Sequence, residues 1–196
     1  MKINGPGESA LLLLDTINVL NKLGIRYAIV GAFAASFHGL VRASLDADAV
    51  ISLGANDEKL NVLISFLKKR GLKVDLRRGD LRDPIRCVVN IRDKFQNRVD
   101  LLMGLRGMRD DAFDRAVSVS FMKASIKVVG IEDFVAMKLF AGSARDIQDA
   151  VGALEISAKK ANFQPLCLTM SKIHSESKSQ LFSVVSLALI NCVSLC

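Results

Sequence analysis

The sequence predicts an α/β (α+β) protein: a small mixed β-sheet flanked by helices, followed by a C-terminal helical lobe. Three observations carry this. A short apolar strand pattern, Arg26–Val30, runs into Gly31 and then into a helical pattern, the strand–turn–helix unit of mixed folds. Three further strand-like runs follow one amphipathic helix. After about residue 130 the periodicity becomes helical only. The expected division is therefore an α/β domain over residues 1–130 and a helical segment over 131–196.

The elements follow in order. Leu11, Leu14, Ile17, Val19, Leu20 and Leu23 form the apolar stripe of a helix from Glu8 to Leu23, which Gly24 ends. Arg26–Val30 is a buried strand, and Phe33–His38 a short helix closed by Gly39. Asp46–Ile51 alternates as a strand. Asn56, Asp57 and Glu58 place acceptors and carboxylates at a helix start, and Lys68, Lys69 and Arg70 suit its C-terminal dipole. Strands are expected at Leu72–Leu76, Ile85–Ile91 and Arg98–Met103, a loop or short helix at Gly107–Ala116, and a short strand at Ile126–Val129. Helices are expected at Ile131–Ala141 and Ala144–Ala158.

With 196 residues, about half of them hydrophobic, the chain has the material for one substantial core. Its net charge of +7 favours anionic partners such as nucleotides, RNA or an acidic protein. One Tyr and no Trp leave little for a base-stacking platform. The four cysteines are scattered and histidines number two, which argues against a zinc site and for reduced, cytoplasmic thiols. Asp15 interrupts the first apolar run, so a signal peptide is not expected. The uncharged stretch Leu181–Cys196 is shorter than the ~20 residues of a spanning helix, so no membrane segment is expected.

The chemistry is concentrated in Asp46-Ala47-Asp48. Alternate residues of a strand share a face, so the two carboxylates stand ~7 Å apart at their roots while Leu45, Ala47, Ala49 and Ile51 face a core. Held together without a counter-ion, they would repel until one took up a proton. A Mg²⁺ ion removes that conflict, and it is the ion that carboxylates plus substrate phosphates favour. Asp100, alone in an apolar strand, is a third carboxylate; on a neighbouring strand it would complete a cluster able to hold one or two ions. Gly31 and Ala32 let backbone N–H groups approach phosphate oxygens at a helix start. Arg42 supplies a cation, and Lys138, set among apolar residues, either snorkels to solvent or aims into a cleft, the second being preferred. For Arg145-Asp146 the plain reading is a helix start with a surface ion pair, and for His38 a packed ring near a helix end.

These residues resemble the polymerase β-type nucleotidyltransferase superfamily, whose pattern is a hydrophobic residue, Gly, a small residue, a spacer and Asp-x-Asp on a strand. Here Val30-Gly31-Ala32 is followed after thirteen residues by Asp46-Ala47-Asp48, and later by Asp100. More narrowly, the His38-Gly39 pair and the run Arg42-Ala43-Ser44-Leu45-Asp46-Ala47-Asp48 look like those of minimal bacterial and AbiEii toxin-like nucleotidyltransferases. The resemblance implies transfer of a nucleoside monophosphate from an NTP to RNA, a protein or a small molecule, in a toxin–antitoxin or phage-defence setting with a cognate antitoxin. By the same resemblance Asp46, Asp48 and Asp100 are the catalytic and metal-binding residues, with Asp100 orienting or deprotonating the acceptor. Gly31, Ala32, Arg42, Ser44 and Lys138 are the substrate-binding ones. The family's second small residue is usually Ser or Gly, whereas Ala32 has no hydroxyl. A degenerate, partner-binding relative is the alternative this departure raises.

Overall fold

The structure is a computed structural model that describes residues 2–54, 57–80 and 82–158. The uncharged tail, His174, Asn56 and the cysteines at 167, 192 and 196 lie outside the described residues. Helix α1 spans Ser9–Lys22, β1 Arg26–Val30, α2 Gly31–Phe37 and β2 Asp46–Ser52. Then come α3 Asp57–Lys69, β3 Lys73–Arg78, β4 Ile85–Arg92, β5 Arg98–Leu105, a 3₁₀ turn at Asp110–Phe113, β6 Val117–Phe121 and β7 Ala124–Val128. Helices α4 Ile131–Ala141 and α5 Ala144–Ala158 complete the described chain. None of the described helices is long and apolar enough to cross a membrane.

The strands form one mixed sheet in the order β3-β4-β5-β2-β1-β7-β6. Among the described strands, only β2–β5 and β1–β7 pair in parallel. Strand β6 is absent from the expectation above; it forms an edge and pairs with β7 through a turn at Met122 and Lys123. Helices α1 and α3 cover one face of the sheet. Ala47, Ala49, Ile51, Cys87, Val89, Ile91, Val99 and Leu101 point into that layer and are buried. Burial pushes the Cys87 thiol above its ordinary range, as expected of a core cysteine. Leu45 corrects the expected core face: it precedes β2 and is 87% exposed. Its backbone carbonyl, not its side chain, is what the fold uses, accepting a bond from the Ser9 hydroxyl at 2.6 Å.

Ser9 also ties the starts of β2 and β5 together. Its hydroxyl oxygen accepts the Arg98 N–H at 3.1 Å. Asn97, fully buried, accepts the Glu8 N–H at 2.7 Å and donates to the Gly5 carbonyl at 2.9 Å. A buried amide with its donors and acceptors matched holds a fixed geometry, because breaking it would strand a polar group away from water. The N-terminus of α1 is thereby pinned beside the strand ends that carry the aspartates.

The chain divides into two compact units. The first holds residues up to Ala34 and Arg42–Val129, including the whole sheet; the second combines Ala35–Val41 with the described residues from Gly130. In the second unit α4 ends at Gly142, whose φ of 69° is a left-handed cap suited to glycine. Ser143 caps α5 by accepting the Asp146 N–H at 3.1 Å. The His38 ring lies 5.1 Å from that of Phe134, the packed position expected of it.

Candidate active site

Strand register decides which side chains meet. In the parallel β2–β5 pair, Asp46 lies opposite Arg98 and Asp48 opposite Asp100. In the antiparallel β4–β5 pair, Asn90 lies opposite Asp100. Residues paired in register share a face, so Asp46, Asp48, Arg98, Asp100 and Asn90 all stand on the face away from α1 and α3. The three aspartates expected from sequence are therefore neighbours on one sheet face.

Their tips are not equivalent. Asp46 accepts a hydrogen bond from the Ser44 hydroxyl at 2.6 Å, so Ser44 orients this carboxylate directly. Asp48 lies against the backbone of Gly31: a β-carbon built there would come within 2.3 Å of the Asp48 Oδ2. Gly31 also has φ +65°, a conformation costly for any side-chain-bearing residue. The glycine thus gives room to a carboxylate, beyond the phosphate approach expected from sequence. Ala32 follows it in the first turn of α2, and Arg42 is half-buried in the segment leading to β2.

Asp100 is 6% exposed and has both oxygens engaged. Its Oδ1 accepts from Asn90 Nδ2 at 2.7 Å and from Arg98 Nε at 2.9 Å, and its Oδ2 accepts from the second arm of the same guanidinium. The Asp100 hydrogen bonds hold Arg98 more firmly protonated than usual against the opposing effect of burial, and the charges of Asp100, Asp46 and Asp48 add to this. The sequence reading overlooked Arg98 and Asn90. The alternation that linked Asp46 to Asp48 would also have linked Arg98 to Asp100. Among the described residues, no three carboxylate, imidazole or thiolate groups are placed to hold one metal ion between them. In this structure Asp46 accepts from Ser44, and both oxygens of Asp100 are engaged by Arg98 and Asn90.

The Asp46–Asp48 pair fits a divalent ion. Two half-buried carboxylates, one oriented by a hydroxyl and one seated over a glycine that could not carry a β-carbon there, are hard oxygen donors of the kind such an ion takes. A cleft of about 130 Å³ opens elsewhere, at the far end of β2 and β5, lined by Ser52, Gly54, Arg86, Met103 and Phe113 among others. None of the three aspartates lines it.

Lys138 belongs to the second unit. Its ammonium lies 2.8 Å from Asp146 and 2.9 Å from Asp149, with all three side chains largely buried. The expected cleft-facing cation is thus corrected to the centre of a two-carboxylate cluster, and Asp146 pairs with Lys138 where a pair at Arg145 was expected. Burial pushes the Asp146 carboxyl up, but hydrogen bonds from Lys138 and Ser143 outweigh it and hold it below the ordinary range.

No family profile matches the chain, and no curated protein sequence matches it. Solved structures do. The chain resembles the antibiotic-resistance factor ANT(2'')-Ia at TM-score 0.56 and 10% identity, over 84% of this chain and 90% of that one. It is similar to an antigenic nucleotidyltransferase-like protein from Paracoccidioides brasiliensis at TM-score 0.51 and 17% identity, over 93% and 94%. It also resembles the lincosamide antibiotic adenylyltransferase LnuA at TM-score 0.50 and 13% identity, over 79% and 99%. The sheet and helices are therefore those of the nucleotidyltransferase fold.

Proposed function

We propose that the protein is a metal-dependent nucleotidyltransferase that moves a nucleoside monophosphate from an NTP to an acceptor hydroxyl and releases pyrophosphate. The observation that carries this reading is the Asp46–Asp48 pair on the polar face of β2, with Asp48 seated over Gly31. Asp46 and Asp48 would hold Mg²⁺, with Ser44 fixing the orientation of Asp46. A bound Mg²⁺ would polarise the α-phosphate and offset charge on the leaving pyrophosphate. Gly31 and Ala32 would present backbone N–H groups at the first turn of α2 to phosphate oxygens, and Arg42 would add a cation to the same ligand.

In the reaction the acceptor oxygen bonds to the α-phosphorus as the bond from that phosphorus to the bridging oxygen breaks. The hydroxyl proton passes to a carboxylate, the role read for Asp100, once that group is released from Arg98. Lys138 has two carboxylates to leave before it could reach a phosphate, so the reading does not depend on it. The acceptor is RNA, a protein or a small molecule; a toxin–antitoxin or phage-defence role, with a cognate antitoxin, belongs to this reading too.

Four α-³²P-labelled NTPs with Mg²⁺, cell extract as acceptor and the Asp46→Ala/Asp48→Ala double variant test the proposal. Label on an acceptor with the wild type alone is the expected result. Equal labelling by the folded double variant would remove the carboxylates from the mechanism. A second reading, a degenerate relative that binds a partner, is favoured by Ala32 and by the engagement of both Asp100 oxygens. It predicts no Mg-ATP thermal shift, whereas the first predicts one that Asp46→Ala abolishes.

A further inference from the structure

Along β2 and β5 the polar face carries Asp46, Asp48, Arg98 and Asp100 in contiguous register positions, with Arg92 of β4 opposite Arg98. The Arg98 guanidinium is the cation that touches Asp100. Its geometry is selective. Arg98 grips both oxygens of Asp100, as a fork matched to a carboxylate does, and Asn90 adds a third hydrogen bond to the same group. The Asp100 side chain is 8% exposed and that of Arg98 41% exposed, so Asp100 is the buried partner and Arg98 the one facing outward. A guanidinium binds phosphate with the same two-pronged geometry, so a polyphosphate arriving at this face offers Arg98 an equivalent partner.

We infer that Arg98 is a resident cation that withholds Asp100 from divalent metal in the nucleotide-free protein and gives it up when a polyphosphate takes the guanidinium. The metal site is then a two-carboxylate site when empty of nucleotide and a three-carboxylate site when loaded. This ordering keeps the site from gathering a second ion before there is a phosphate for it to act on. Arg98 is in this sense a positioning residue, acting through Asp100. The inference rests on the reading of Asp46 and Asp48 as cation ligands.

The test is Mn²⁺ binding without nucleotide, followed by the electron paramagnetic resonance signal of the free ion, on the full chain. Wild type, Arg98→Gln, Asp100→Asn and the double variant are compared after thermal unfolding shows each folded; Arg98→Met replaces the Gln variant if that one fails. The expected result is that Arg98→Gln binds Mn²⁺ at least about tenfold tighter or gains a second ion, a change of ~1.4 kcal/mol or more. Asp100→Asn alone leaves affinity within about twofold of wild type, yet removes the gain when added to Arg98→Gln. Unchanged binding in the folded Arg98 variants would overturn the inference, as would Asp100→Asn weakening the wild type as far as Asp48→Asn does. If Asp48→Asn leaves wild-type binding intact while the Arg98 variant still gains an Asp100-dependent ion, the role of Arg98 stands and the pair is the part that fails.

Discussion

Two clusters of opposite charge, one in each unit, are built from the same parts and end up as different things. Around Lys138, one ammonium sits between Asp146 and Asp149, and the three side chains are 16%, 22% and 5% exposed. Around Arg98, one guanidinium engages Asp100 fully while Asp46 and Asp48 stand half-buried on the same sheet face. In the first cluster the charges are enclosed and each carboxylate touches the cation. In the second, the cation grips one carboxylate, and the other two keep part of their surface open to solvent. Enclosed charge, with each carboxylate held by the cation, marks a piece of scaffold; carboxylates on a half-exposed face are placed where a ligand can reach them.

The sharpest way to break this contrast is at Asp48. Asp48→Asn is expected to lower nucleotide transfer by about a thousandfold or more, the several kcal/mol that metal stabilisation of transition-state charge is worth. Its thermal midpoint should stay at or above that of wild type, because a repelling charge has been removed. Loss of both activity and fold would assign the pair to scaffold.

Lys138→Met should do the reverse. Two buried carboxylates left without their cation cost about 3–5 kcal/mol, read as a lower urea midpoint, while Mn²⁺ affinity in the first unit is unchanged. The pH dependence carries a sign. Asp146 is held below its ordinary range, so its contribution is present above the unfolded value near ~3.9 and fades as pH falls through the lower folded one. In the Met variant the unpaired carboxylates can take up protons, so the gap between variant and wild type should shrink as pH drops towards about 4. A gap that widens there would refute the assignment.

Gly31→Ala is expected to act on both properties at once. The left-handed backbone costs a β-carbon about 1–2 kcal/mol, and that β-carbon collides with the Asp48 carboxylate. Mn²⁺ binding should weaken about tenfold, ~1.4 kcal/mol. Arg26→Ala gives the smallest effect. Its pairs with Asp110 and Asp114 are exposed and 3.3 Å long, so the loss should lie within about 1 kcal/mol by urea unfolding. A larger loss would mean that exposed pairs here matter as enclosed ones do.

Periodicity in the sequence exposed most of the elements, since α1, β1, β2, α3 and the α4–α5 pair each carry a run long enough to show its own repeat. Strand β6 escaped because its turn uses Met122 and Lys123 at φ 47° and 67°, where the usual hairpin signal is glycine or asparagine. Asp46 and Asp48 were legible because their partner is two residues away on one strand. Arg98 is equally near Asp100, but Asp100 was taken as the lone charge of its strand and Arg98 was passed over. Lys138 was misjudged for a different reason: Asp146 and Asp149 reach it from the next helix, a relation that no spacing within a single helix encodes.

The register of β2 against β5 has a further consequence. Asp48 and Asp100 are brought together by a parallel pairing between strands separated in the chain by α3, β3 and β4. A slip of one residue would turn Asp46 and Asp48 into the layer under α1 and push Ala47 and Ala49 out. Burying unpaired carboxylates there would cost several kcal/mol. A misaligned sheet is therefore penalised by the same two residues that a correct one displays. The site doubles as a checksum on folding: a chain stable enough to persist is, by the same test, a chain whose carboxylates stand in place.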